Sequence, residues 1–220
     1  MNIASYIDHT LLKPQATYSD LDTLCQEARD HHFAAVCVNP CNIAYCAKQL
    51  QNSDVRLASV VGFPLGASNS VIKAEETRQA VADGTDEIDM VINIGALKDG
   101  DEKRVYEDIQ AVVSAAAGKT VKVILETCLL SREEIIKACE LSKQAGAHFV
   151  KTSTGFSSGG ATVEDVALMK ATVGDAMEVK ASGAVRSYDD AMKMIKAGAT
   201  RIGTSSGIAI LKGGEGESDY

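Results

Sequence analysis

E-V-K-A-S-G-A-V-R-S-Y-D-D-A-M-K-M-I-K-A-G-A-T-R-I-G-T, residues 178–204, holds one complete structural unit. Its first run, E-V-K-A, reads as a short strand, and Ser182-Gly183 as the turn that leaves it. Ser187 and Asp190 form an S-x-x-D opening in which the hydroxyl can accept from free helix N–H groups. Gly198 follows the helical stretch, as a residue closing a helix in the left-handed region would, and R-I-G-T from Arg201 is the next strand. Strand, capped helix, strand is the βαβ unit of a parallel sheet.

Outward from this unit the same pattern recurs. Further short β-branched runs stand at I-D-H-T-L-L near Ile7, A-A-V-C-V near Ala34, L-A-S-V-V near Leu57, E-I-D-M-V-I near Glu87, K-V-I-L-E near Lys122 and F-V-K-T near Phe149. Ser131 with Glu134 and Thr162 with Asp165 open two more helices, and Gly84 and Gly146 close two. Eight parallel strands favour a closed α/β barrel, the (β/α)8 or TIM barrel, over an open sheet. The 220 residues fit a single domain, 1–211, with K-G-G-E-G-E-S-D-Y from Lys212 expected as a flexible tail, 212–220.

A formal charge of -8 without a basic run argues against nucleic acid and anionic membranes as partners. The start, M-N-I-A-S-Y, has no signal-like apolar region and no later stretch is apolar enough to span a bilayer, so a cytoplasmic location is expected. Six cysteines without C-x-x-C read as reduced thiols. Among the histidines, adjacent His31 and His32 would diverge by about 100° on a helix and could not share one ion, so no metal is expected.

Two late strands, V-K-T-S-T-G from Val150 and V-K-A-S-G-A from Val179, place Lys151 and Lys180 at the same offset before a glycine turn. On neighbouring strands in register the two lysines would share one face, about 5 Å apart along the backbone. Burial and mutual repulsion then lower a lysine pKa from its usual value near 10.4, leaving neutral amine for Schiff-base chemistry. These considerations do not decide which lysine is the nucleophile. Asp8 and Asp89 are acids in otherwise apolar strands and need cationic partners. Asp89 could then orient a lysine or a water, and Glu126 is a further acid at a strand end. Gly155, the S-G-A-V-R turn from Ser182 to Arg186, and G-T-S-S-G from Gly203 to Gly207 are glycine- and hydroxyl-rich segments at successive strand ends. Such loops bind phosphate through backbone N–H groups and a short helix, with Ser205 and Ser206 placed to cap that helix. Cys37 is expected in the pocket wall or the core.

Taken together, I-D-H-T-L-L-K-P (7–14), V-C-V-N-P (36–40), V-G-F-P-L-G (61–66), E-I-D-M-V-I-N-I-G (87–95), K-V-I-L-E-T (122–127), F-V-K-T-S-T-G (149–155) and V-K-A-S-G-A-V-R (179–186) resemble the deoxyribose-phosphate aldolase family over nearly the whole chain. The resemblance implies a (β/α)8 barrel and reversible cleavage of 2-deoxy-D-ribose 5-phosphate to D-glyceraldehyde 3-phosphate and acetaldehyde, without a cofactor. It implies Lys151 as the Schiff-base nucleophile, Lys180 as the group that depresses its pKa, and Asp89 as a proton relay. It further implies a substrate site drawn from Asp8, Cys37, Thr154, Gly155, Gly183, Ala184, Arg186, Gly203, Ser205 and Ser206. In some members a C-terminal tyrosine assists proton exchange, which makes Tyr220 a candidate. One position departs from the family pattern: Ala184 stands where many members have glycine, and a positive φ there would cost on the order of 1 kcal/mol. The competing expectations are a transaldolase or keto-acid aldolase, separable by a substrate panel, and a non-catalytic phosphosugar-binding barrel, which would trap no lysine with borohydride. The partners expected are a small phosphosugar and aldehydes, with self-association as a homo-oligomer left open.

Overall fold

In a computed structural model, which describes residues 2–216, every one of these runs is a strand. β1 (Ile7–Leu11), β2 (Ala35–Val38), β3 (Arg56–Val61), β4 (Glu87–Val91), β5 (Thr120–Ile124), β6 (Phe149–Lys151), β7 (Glu178–Ser182) and β8 (Arg201–Thr204) close in sequence order into a barrel, with β8 returning to β1. All pairings are parallel. Around them run α1 (Tyr18–His31), α2 (Ile43–Gln49), α3 (Ser70–Ala82), α4 (Ile94–Lys98), α5 (Glu102–Ala115), α6 (Arg132–Gln144), α7 (Val163–Val173), α8 (Tyr188–Lys196) and α9 (Gly207–Leu211). No helix among the described residues is long and apolar enough to cross a membrane.

The local signals act as read. Ser131 with Glu134 and Ser187 with Asp190 form reciprocal capping boxes on α6 and α8, and the Thr162 hydroxyl accepts the Asp165 N–H on α7. Gly84, Gly146 and Gly198 have φ of 108°, 83° and 116°.

Alternation along each strand divides the interior in two. Ile88, Met90, Val121, Val123, Val150, Val179 and Ile202 face outward into one large apolar cluster shared with the helices. Inside the barrel, Leu12, Cys37, Ala58 and Val60 form a smaller apolar cluster, closed by Phe63. The rest of the lumen is charged, and there the candidate site lies.

Candidate active site

β6 and β7 pair with Lys151 directly opposite Lys180, the register the two matching motifs require. The side chains turn into the lumen, where a single oxygen, Asp89 Oδ2, accepts from both Nζ atoms at 2.8 Å. Asp89 stands on β4, and its other oxygen accepts from Lys122 Nζ at 2.7 Å. Lys122 also meets Glu87 at 2.5 Å, and Lys180 meets Asp8 at 2.5 Å. Arg201 closes the group from β8: it donates to Asp8 through Nε and Nη2, and reaches both Glu87 oxygens, at 3.2 and 2.9 Å. Seven charged side chains, Asp8, Glu87, Asp89, Lys122, Lys151, Lys180 and Arg201, are thus interlocked and all buried.

The partners divide unevenly. Lys122 and Lys180 each rest against at least two carboxylates, whereas among the described residues Lys151 pairs with Asp89 alone. Burial lowers the Lys151 pKa against the attraction of Asp89, and the Lys180 charge lowers it further. For Lys180, burial acts the same way but the Asp8 and Asp89 carboxylates outweigh it, holding this lysine well above its ordinary value. Burial alone would raise the Asp89 carboxyl, yet Lys122, Lys151 and Lys180 pull it well below the usual range. A neutral amine beside an ammonium and a carboxylate can attack a carbonyl and exchange protons with its neighbours.

Of the two lysines that burial and mutual repulsion could lower, only Lys151 moves down, because the Asp8 and Asp89 carboxylates more than compensate at Lys180. The leading cause for Lys151 is loss of solvation, with Lys180 secondary.

The glycine-rich segments converge at the C-terminal ends of β6, β7 and β8. Ala161 N–H donates to Ser182 O at 3.0 Å and Gly183 O at 3.1 Å, and a Cβ on Gly160 would lie 2.4 Å from the Gly183 carbonyl carbon. A side chain on Gly183 would stand 3.8 Å from the Gly155 Cα, so these two glycines adjoin. The Thr204 hydroxyl donates to Val185 O at 2.8 Å, tying the end of β8 to the same turn, and Gly203 pairs with Asp8 and Ser182. Gly216 N–H donates to Arg186 O at 3.0 Å, so the described part of the tail lies on this rim. Gly183 and Ala184 have φ of 72° and 60°, so Ala184 occupies the left-handed conformation in which a glycine would be relaxed.

Other placements differ from the sequence reading. Ser206 is the residue before α9, but its side chain makes no capping hydrogen bond, so the hydroxyl cap expected of Ser206 does not form. The Thr154 hydroxyl and N–H both donate to Glu126, which gives Glu126 the task of holding the loop after Lys151. Cys37 lies fully buried in the apolar half of the lumen, and burial raises its thiol pKa. Tyr220 lies outside the described residues.

Residues 2–213 match the model of the DeoC/LacD family of aldolases. The chain belongs to that family. It is 60% identical, over the full length of both chains, to the deoxyribose-phosphate aldolase of Staphylococcus epidermidis, and likewise 60% identical over both full lengths to deoxyribose-phosphate aldolase 2 of Staphylococcus aureus. Among solved structures, the tetrameric deoxyribose phosphate aldolase of Aeropyrum pernix superposes with a TM-score of 0.90 at 35% identity, covering 96% of this chain and 89% of that one.

Within this family member, sequence reading passed over Glu87, Lys122 and Arg201. The signal was present in E-I-D, K-V-I and R-I-G, where a charged residue alternates with apolar ones and so must share a face with the lumen.

Proposed function

We propose that this chain is a class I aldolase that cleaves 2-deoxy-D-ribose 5-phosphate to D-glyceraldehyde 3-phosphate and acetaldehyde through a Schiff base on Lys151. The observation that carries the reading is the uneven sharing of carboxylates: of the three lumen lysines, Lys151 has the fewest anionic partners and keeps a 3% exposed side chain, against 0% for Lys122 and Lys180.

In this reading the neutral Lys151 amine adds to the C1 aldehyde of the open-chain sugar, and loss of water leaves an iminium ion. A base, a water held by Asp89 and Lys180, takes the C3 hydroxyl proton. The C3–O electrons become the carbonyl of glyceraldehyde 3-phosphate as the C2–C3 bond breaks, and its electron pair passes into the iminium to give the enamine. Proton return to C2 and addition of water release acetaldehyde and free Lys151. The imine is itself the electron sink, so the chemistry calls for no cofactor.

Phosphate binding is assigned to the rim formed by Gly155, Gly183, Ala184, Arg186, Gly203, Ser205 and Ser206, with backbone N–H groups as donors. Asp8 supports Lys180, Cys37 walls the pocket, and Thr154 acts through the loop it fixes. Tyr220 is assigned a proton-shuttling role from the tail, 212–220, beyond a domain spanning 1–211. A phosphorylated sugar as substrate fits a cytoplasmic setting, and the tetrameric relative supports self-association here.

Borohydride reduction in the presence of acetaldehyde, followed by peptide mapping, tests the assignment. An ethyl adduct on Lys151 is expected. An adduct confined to Lys180 would exchange the two roles, and turnover without any adduct would remove the Schiff-base mechanism.

A further inference from the structure

We propose that Arg201 is a positioning residue that keeps Lys151 uncharged, by supplying the lumen with a cation that cannot give up its proton. This rests on the reading of Lys151 as the Schiff-base amine. Each strand contributes to the balance: Asp8 from β1, Cys37 from β2, Arg56 from β3, Glu87 and Asp89 from β4, Lys122 from β5, Lys151 from β6, Lys180 from β7 and Arg201 from β8. The Cys37 thiol is neutral. Arg56 touches Glu87 at 3.2 Å, but its side chain is 53% exposed and water screens it. Among the buried groups that leaves three carboxylates against Lys122, Lys151, Lys180 and Arg201, an excess of one positive charge if all are ionised.

An unbalanced charge among buried side chains is costly, and the least expensive relief is to release a proton. Arg201 cannot do so, because a guanidinium stays protonated in proteins. Its fork also bridges Asp8 on β1 and Glu87 on β4, so it occupies carboxylate charge that the lysines would otherwise claim. Lys122 and Lys180 each retain at least two carboxylates, so the proton leaves Lys151. With Arg201 removed, three lysines face three carboxylates, and the balanced state has Lys151 protonated and unreactive. The lowered pKa of Lys151 and the raised one of Lys180 agree with this division.

The test is the pH profile of kcat/KM, whose ascending limb reports deprotonation of the amine in the free enzyme. Arg201→Met is expected to move that limb to higher pH by about one unit, roughly tenfold lower activity at pH 7 with recovery in alkali. Glu87→Gln removes a lumen anion and should move the limb to lower pH. The double variant Arg201→Met/Glu87→Gln restores the balance and should bring the limb back toward wild type, a compensation that a merely structural role would not produce. A folded Arg201→Met with an unmoved limb and Lys151 still trapped by borohydride overturns the proposal. Should Arg201→Met not fold, an unmoved limb in Glu87→Gln overturns it instead. Absence of a Lys151 adduct in the wild-type protein overturns the underlying reading of the site, a distinguishable result.

Discussion

Lys73 and Lys151 are both buried, both bonded to an aspartate, and both held below the ordinary lysine pKa chiefly by burial. Lys73 sits outside the barrel on α3, where its ammonium meets Asp108 of α5 at 2.5 Å and the Val91 carbonyl at 2.8 Å. A Cβ on Gly62 would lie 2.8 Å from the Lys73 Cε, so the stem packs on the turn after β3 with no room beside it. Among the described residues, Asp108 has this one lysine at bonding distance. Asp89 is shared among Lys122, Lys151 and Lys180. Burial therefore does not separate a reactive lysine from a structural one. The number of cations competing for each carboxylate does, together with a path to the barrel mouth.

The sharpest way to break this comparison is to remove the cation that competes with Lys151. Lys180→Leu leaves Asp8 and Asp89 with less positive charge, so the protonated form of Lys151 is favoured, its pKa rises, and the ascending limb of the pH profile moves to higher pH. A loss of roughly 10²- to 10⁴-fold in kcat at pH 7 is expected, since a proton-transfer partner goes as well. Wild-type activity at pH 7 would make the lysine pair structural after all.

At the second site the same kind of deletion should affect folding. Lys73→Met leaves Asp108 buried without its counter-ion, at a cost of roughly 3–5 kcal/mol in denaturant unfolding, and adding Asp108→Leu should recover most of it. The pH dependence gives an independent sign. Burial raises the Asp108 pKa even with Lys73 present. A carboxyl whose folded pKa exceeds its unfolded one destabilises above that pKa and ceases to do so below it. The Lys73→Met variant should therefore regain stability as pH falls into the acid range. Wild type should gain less over that range, because Lys73 already offsets part of the burial at Asp108, and at lower pH both proteins should lose stability as Asp8 and Asp89, held below the usual carboxylate range, are forced to protonate. Matching acid profiles for the two proteins would mean Asp108 is already solvated.

The smallest effect belongs to the rim, which contributes to neither lysine site. Ala184 holds a left-handed φ of 60° and is exposed, so Ala184→Gly should stabilise by about 1 kcal/mol, roughly 2–4 °C in Tm, without moving the pH limb. A shifted limb would couple the rim to the lumen.

The eight strands, their capped helices, the barrel closure and the opposition of Lys151 and Lys180 were all determined by sequence, because alternation, capping residues and glycine positions are local and each strand carries its own copy of the pattern. The pair Lys73–Asp108 was not legible, since its members lie 35 residues apart on two helices whose packing no local pattern specifies. Nor was the turning of the Thr154 hydroxyl toward Glu126, or the opposite pKa directions of Lys151 and Lys180. Sequence places a charged residue on a face; it does not count how many opposite charges will arrive there. That count depended on Asp8 and Arg201, 193 residues apart, meeting when β8 closed on β1, and only the closed barrel decided it.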